Sequence, residues 1–332
     1  MRLDDLDYRL PQELIAQRPV EPRDSARLLV DRGTEPPVDA HVRDLPNHLQ
    51  PGDALVVNHT RVYPARLRLL RRSGGAIEVL LLENEGSSWS ALIRGGAKLR
   101  QGEELVDGTG AAVVRFLHRV DDVFTVELLD ERWPLEHGEM PLPPYITERL
   151  EDGERYQTVY SHDAKSAAAP TAGLHLTAPL MDDLRRRGVR ILEVELVVGL
   201  DTFKPIDVED PLRHPMHTEY YRVPQETWDA CRQVRASGNS VVAVGTTATR
   251  ALESAAATGH FSGRTALFIT PGFEWRVVDK MMTNFHMPRT TLIMMIHSMI
   301  GDRWRTLYEH AIEARYRMLS FGDAMLLDRH AR

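Results

Sequence analysis

Only one cysteine, Cys231, occurs in the 332 residues. A disulfide within the chain is therefore excluded, and so is a thiolate-rich zinc or iron–sulfur site. No HExxH or comparable ligand spacing is present, so no metal is expected. A GxGxxG turn after a strand-like run is also missing, which argues against a dinucleotide-binding dehydrogenase or a common Rossmann methyltransferase. Long apolar runs are absent too: the longest, Leu292–Ile300, contains His297 and is too short to cross a bilayer. The opening MRLDDLDYRLPQEL is acidic and has no apolar stretch, so no signal peptide is visible. Positive charge is not in excess. With 41 Lys and Arg against 48 Asp and Glu the net charge is −7, which disfavours a general nucleic-acid or membrane-surface binder. A soluble cytoplasmic protein with no membrane contact is the expectation.

Three short blocks stand out: AAPTAGLHLT (168–177), TNFHMPRTT (283–291) and SFGDAM (320–325). Each sets a histidine, threonine or carboxylate among Gly, Pro and Ala, where a core would carry bulky apolar side chains. Small residues let backbone and polar groups close on a ligand, and proline stiffens a loop. Three such blocks, far apart in the chain, suggest loops gathered around one site.

The organisation changes along the chain. From about Gly52 to Leu129, short alternating runs (ALVVN, RLRLL, IEVLLLE, WSALI, AVVRFLH, FTVELL) are separated by turn signals such as SGG and DGTG. That spacing predicts a small antiparallel sheet or closed barrel. Beyond residue 150, MDDLRRRG (181–188) reads as a helix, VRILEVELVVGL (189–200) and SVVAVG (240–245) as buried strands, and ATRALESAAA as a helix. TALFITPG (265–272) reads as a third strand and DRWRTLYEHAIEARY (302–316) as a last helix. Alternating strands and helices predict an α/β domain with a mostly parallel sheet. The expected division is an α/β domain of 1–60 and 150–332, with an antiparallel β-barrel of 61–149 inserted between them.

Parallel sheets bind ligands where a strand's carboxyl end meets the next helix. Gly245, Thr246 and Thr247 occupy such a turn, with Arg250 one turn on. The threonines can cap the helix, or they can hold a polar substrate together with Arg250. His217 lies two residues before Glu219, which in an extended segment puts both on one face as an acid–base pair. His175 and His286 sit beside Gly or Pro in the same fashion, and Asp323 follows the turn residue Gly322. Arg61, Arg66, Arg68, Arg71 and Arg72 form a basic stretch that is either a local RNA-contacting patch or a solvated strand face.

The blocks together resemble the family of S-adenosylmethionine:tRNA ribosyltransferase-isomerases of queuosine biosynthesis. The resemblance runs nearly end to end, through LDYRLPQELIAQRPVEPRDSARLLV (6–30), GDALVVNHTRVYPARL (52–67), ERYQTVY (154–160), APTAGLHLT, MHTEYY (216–221), GTTATRALES (245–254), LFITPGFEWRVVDKMMTNFHMPRTTLIMMIHSMIG (267–301) and YRMLSFGDAML (316–326). It implies an α/β domain with an inserted barrel. The implied reaction moves and rearranges the ribosyl group of S-adenosylmethionine onto 7-aminomethyl-7-deazaguanine in tRNA, giving epoxyqueuosine and releasing adenine and methionine. S-adenosylmethionine is then a co-substrate, tRNA the partner, and no metal or redox cofactor is implied; a monomer is the working expectation. On this reading His175, His217, Glu219, His286 and Asp323 supply proton transfers. Arg61, Arg66 and Arg250 contact phosphate or carboxylate, since guanidinium stays charged and forks onto oxyanions. Pro170, Thr171, Gly173, Gly199 and Thr202 are expected to bind substrate, as are Gly245, Thr246 and Thr247 and the later Thr283, Asn284, Phe285 and Gly322.

This chain departs from the family pattern at a few positions. Lys165 and Leu176 stand for Gly and Phe around the first block, Val197 and Asp201 for His and Gly in LVVGLDTF, and His297 is newly placed. A second enzyme reading follows, a relative that acts on S-adenosylmethionine with a small-molecule acceptor or none. A third, a non-catalytic RNA binder on the same scaffold, has no need for His175, His217, Glu219, His286 and Asp323.

Overall fold

The computed structural model describes residues 2–84, 86–199, 206, 208, 210–214, 216 and 218–331. His217, Thr202 and Asp201 lie outside the described residues. In chain order the strands open with β1 (Arg27–Val30), β2 (Val38–His41), β3 (Ala54–Asn58), β4 (Thr60–Val62), β5 (Arg66–Arg71) and β6 (Ala76–Asn84). They continue with β7 (Trp89–Arg94), β8 (Glu104–Val106), β9 (Ala112–Val120), β10 (Val123–Leu128), β11 (His162–Ser166) and β12 (Arg190–Leu196). The last five are β13 (Glu219–Arg222), β14 (Val241–Val244), β15 (Ser262–Thr265), β16 (Lys280–Asn284) and β17 (Ala324–Asp328). The α-helices are α1 (Trp133–His137), α2 (Ala178–Arg186), α3 (Gln225–Ala236), α4 (Gly245–Thr258), α5 (Thr291–Ile300) and α6 (Arg303–Glu313).

The chain divides into two compact units, one of residues 1–60, 143–162 and 170–332, the other of 61–142 and 163–169. The first holds a nine-stranded sheet in the order β15-β13-β12-β3-β14-β16-β17-β1-β2. Its central strands β3 (ALVVN) and β14 (VVAV) are buried at every position, as strands covered on both faces must be. Helix α4 packs on β3, β12, β14 and β16. Leu28, Leu55, Val57, Val242, Val244 and Leu326 join Leu176, Leu180 and Leu184 in one continuous apolar core.

The sheet is mixed, which corrects the expectation of a mostly parallel one. Pairs β12–β3, β3–β14, β14–β16 and β17–β1 are parallel. Pairs β15–β13, β13–β12, β16–β17 and β1–β2 are antiparallel. The flanking strands β13 and β2 alternate in burial, the pattern of antiparallel strands with one wet face. Two helices, α5 and α6, connect β16 to β17, and β17 starts beside the end of β16 (Asn284 opposite Ala324) and runs the other way.

TALFITPG also differs from expectation, because the strand is Ser262–Thr265 and ends where that segment begins. The Thr265 hydroxyl accepts the Leu267 amide at 3.0 Å, which closes a local turn in place of a further rung of the ladder.

In the second unit six strands close a barrel in the order β10-β7-β6-β5-β8-β9. Alternating burial along β6 and β9 fills its interior with Leu67, Leu69, Val79, Leu81, Val114, Phe116, Phe124 and Val126. Gly138 is required by close approach, since a Cβ there would lie 2.1 Å from the Pro64 carbonyl. Three arginines of the basic stretch are paired within this unit: Arg68 with Glu139, Arg71 with Glu103 and Arg72 with Glu104. Their charge belongs to a solvated strand face. Arg66 differs, because its Nε is buried without a partner. Among the described residues no helix is long and apolar enough to cross a membrane.

Candidate active site

One edge of the large sheet collects nearly all the described candidates. It is the carboxyl edge of β3, β12, β14 and β16, and because β13, β17 and β1 start there it also receives Glu219, Asp323 and Arg27.

At the end of β14 the chain turns directly into α4. Gly245 takes φ +86°, a left-handed conformation that other residues adopt only with strain. Ala172 of the first block packs against it, 3.4 Å from where a Cβ would stand. No side-chain hydrogen bond caps α4, so the threonines are not serving as caps. Thr247 Oγ1 is buried with no hydrogen-bond partner. One turn on, Arg250 forms a buried ion pair with Glu219, and its Nε donates to the Leu267 carbonyl at 3.3 Å. Arg250 Nη2 is buried and unpartnered. Glu219 also accepts the Gly199 amide at 3.1 Å, which ties the end of β12 to the pair.

On the far side of α4 the first block forms a 3-10 turn, Thr171–His175, that packs on both α4 and β16. Gly173 admits Tyr160, whose hydroxyl would stand 1.9 Å from a Cβ. Asn284, the last residue of β16, is the hub. Its Nδ2 lies 3.1 Å from His175 Nε2 and 3.3 Å from the Asp323 carbonyl, and its Oδ1 accepts the Thr171 hydroxyl at 2.9 Å. Burial, reinforced by the Arg317, Arg23 and Arg155 guanidiniums, pushes the His175 imidazole down to about 4.

Asp323 reaches this group through its backbone. Its two carboxylate oxygens accept the amides of Arg27 and Arg317, both at 2.8 Å, and burial raises its pKa. Gly322 makes the turn possible, since a Cβ there would fall 2.4 Å from the Arg317 carbonyl. His286 points elsewhere: its Nε2 meets Thr283 Oγ1 at 3.0 Å, and its own amide donates to the Tyr308 hydroxyl at 2.9 Å. Desolvation takes this ring down to about 3. Phe285, fully buried between Tyr308 and Tyr316, packs as core.

Thus the structure brings together Thr171, His175, Asn284 and Asp323 as one network, and Gly199, Glu219 and Arg250 as another. Thr283 with His286 forms a separate pair. Arg61 and Arg66 belong to the barrel unit. Leu176 is core and the Val197 amide donates to the Tyr220 carbonyl at 2.9 Å. Sequence reasoning missed Arg23, which donates to the carbonyls of Glu154, Gln157 and Leu174, and Arg317, whose Nη1 is buried without a partner. Both lie inside quoted motifs, so position was the available signal. Among the described residues no group of three or more His, Cys, Asp or Glu is placed to hold a metal.

A family model described as queuosine biosynthesis protein matches residues 3–327. An S-adenosylmethionine:tRNA ribosyltransferase-isomerase of Symbiobacterium thermophilum is 48% identical, over 98% of this chain and 100% of its own. The protein of the same name from Thermotoga maritima is 45% identical, again over 98% and 100%. A crystal structure titled S-adenosylmethionine tRNA ribosyltransferase, from Thermotoga maritima, superposes with a TM-score of 0.57 at 37% identity, covering 97% of this chain and 99% of that one.

Proposed function

The chain belongs to the family of queuosine biosynthesis proteins, and from that premise we infer that the crowded sheet edge is the active site of its reaction. The protein is an S-adenosylmethionine-dependent ribosyltransferase-isomerase that acts on the queuosine precursor of tRNA, with S-adenosylmethionine as co-substrate.

The observation that carries the assignment of the site is a pair of unsatisfied atoms, Thr247 Oγ1 and Arg250 Nη2, three residues apart on one face of α4. A buried polar atom without a partner costs about 1–3 kcal/mol, and a bound ligand that meets it recovers that cost. S-adenosylmethionine offers the complementary groups, a carboxylate for the guanidinium and ribose hydroxyls for the threonine. Glu219 then acts as the positioning residue that holds Arg250 in place.

The chemistry sets further demands. The sulfonium acidifies the ribose 5′ carbon, so a base can remove a proton there. Adenine must leave, preferably protonated, and the aminomethyl group must attack as a neutral amine. Positioned acids and bases each contribute about 10²–10⁴-fold. His175 and His286, both neutral at working pH, suit proton acceptance and hydrogen-bond donation, and His217 completes the proposed set. Asp323 serves by anchoring the backbone beside Asn284. Arg61 and Arg66 are the proposed phosphate contacts for tRNA.

The test is release of adenine and methionine by the purified protein, with and without tRNA carrying 7-aminomethyl-7-deazaguanine, followed by mass spectrometry. Release that depends on this tRNA, with the matching mass gain on the RNA, is expected. Release of equal extent without tRNA would replace the tRNA acceptor by a small molecule or none.

A further inference from the structure

Asn284 offers more than a contact. Its side-chain amide can be oriented in two ways, which differ in whether nitrogen or oxygen faces the Asp323 carbonyl. A backbone carbonyl has no proton to give, so only the nitrogen can face it. The 3.3 Å contact with the Asp323 carbonyl therefore decides the orientation, and the 2.9 Å contact of Oδ1 with the Thr171 hydroxyl, a competent donor, agrees with it. Both amide protons are then committed, one to the Asp323 carbonyl and the other to His175 Nε2 at 3.1 Å. A nitrogen that receives a proton cannot also carry one.

We propose that Asn284 is a positioning residue that fixes neutral His175 in a single tautomer, with Nε2 as acceptor and the proton on Nδ1. The proposal rests on the reading of this edge as the active site only for its catalytic consequence; the tautomer itself is a property of the free protein. The cationic alternative would need Nε2–H to confront an amide N–H, in a buried pocket already facing Arg317, Arg23 and Arg155. His175 therefore meets substrate as a donor through Nδ1–H. A donor of this kind suits a ring or ribose atom on which negative charge builds as bonds to the sulfonium sugar break. The proton abstraction at the 5′ carbon is left to another group.

The chain of causes is long-range. The Asp323 carboxylate is held by the Arg27 and Arg317 amides, so its carbonyl is fixed, so the Asn284 amide is fixed, and the His175 proton follows.

Long-range proton–nitrogen NMR on ¹⁵N-histidine-labelled full-length protein reads the tautomer directly. The His175 signals are assigned by their loss in His175→Gln. At neutral pH, in the absence of substrate, protonated Nδ1 and unprotonated Nε2 are expected. Protonated Nε2 in the wild-type protein would overturn the proposal whatever the activity. Asn284→Asp replaces the donor by an acceptor, and is expected to switch the ring to Nε2–H or to the cation while lowering kcat by about 10²–10⁴-fold. Should that variant fold poorly, Thr171→Val removes only the hydroxyl on Oδ1 and is expected to keep the Nδ1–H form. A Thr171→Val protein with Nε2 protonated would refute the reasoning. If the wild-type tautomer is as stated but Asn284→Asp switches it without loss of turnover, the positioning of the proton stands and the placement of chemistry at His175 fails.

Discussion

Glu219→Gln removes one charge from a pair that has almost no water around it. Glu219 and Arg250 are each 7% exposed, so the guanidinium left behind stays buried opposite a neutral amide. Breaking one side of a buried ion pair costs about 3–5 kcal/mol, a large part of the roughly 5–15 kcal/mol that holds a folded protein together. With a denaturant slope of about 3 kcal/mol/M in urea, the midpoint should fall by about 1–1.7 M. The double variant Glu219→Gln/Arg250→Met removes both charges and is expected to recover most of that loss, because neutral replacement of a whole buried pair is often without cost. Its affinity for S-adenosylmethionine should not recover. A charged hydrogen bond contributes about 1.5–3 kcal/mol, so Kd should rise about 10- to 150-fold. Urea unfolding by circular dichroism and calorimetric titration with S-adenosylmethionine measure the two effects separately. A cost below about 1 kcal/mol for Glu219→Gln would show that the pair behaves as an exposed one. Wild-type affinity in the double variant would remove Arg250 from the binding site.

Thr247→Val keeps the shape and deletes the unpartnered hydroxyl. Stability should hold or rise by about 1 kcal/mol while S-adenosylmethionine affinity falls about 10-fold, a combination that paired unfolding and binding curves would detect. The two low-pKa histidines set a pH dependence. In the unfolded chain each binds a proton below about pH 6.5, whereas the folded protein refuses it until about 4 for His175 and about 3 for His286. The unfolded state thus holds more protons in that window, and stability must fall as pH drops from 6.5, by up to about 1.4 kcal/mol per pH unit for each ring. Urea midpoints at pH 7, 6 and 5 should decline accordingly, less steeply in His286→Gln; a flat profile would contradict the buried neutral rings.

Much of the edge is legible from sequence because its cause is local. Gly245-Thr246-Thr247 follows a uniformly apolar VVAV, and a buried strand that runs into glycine and a helix leaves few arrangements. The barrel is legible for the same reason, since IEVLLLE and AVVRFLH alternate at the period of a strand with one wet face. What escapes is what depends on distant partners. KMMTN and AMLLD become neighbours through a two-helix return, and nothing in either pentapeptide states the direction of pairing. Asp323 reads as a presented acid, yet its oxygens meet amides at Arg27 and Arg317, the first almost the whole chain away. LFIT has strand composition, but the Thr265 hydroxyl accepts the Leu267 amide and the Leu267 carbonyl is given to Arg250. In each case long-range pairing overrides local preference.

The place of β17 in the sheet has a consequence for synthesis. It lies between β16 and β1, and is the last of the nine strands to leave the ribosome. Until residues 324–328 emerge, the β1–β2 hairpin, made about 300 residues earlier, has no edge on which to dock. Sheet closure is therefore a late event with a high cost in chain entropy. The open flanks of β1 and β16 are what a chaperone would find on the nascent chain. A message truncated shortly before codon 324 would yield a chain with the barrel sequence intact and the nine-stranded sheet split in two.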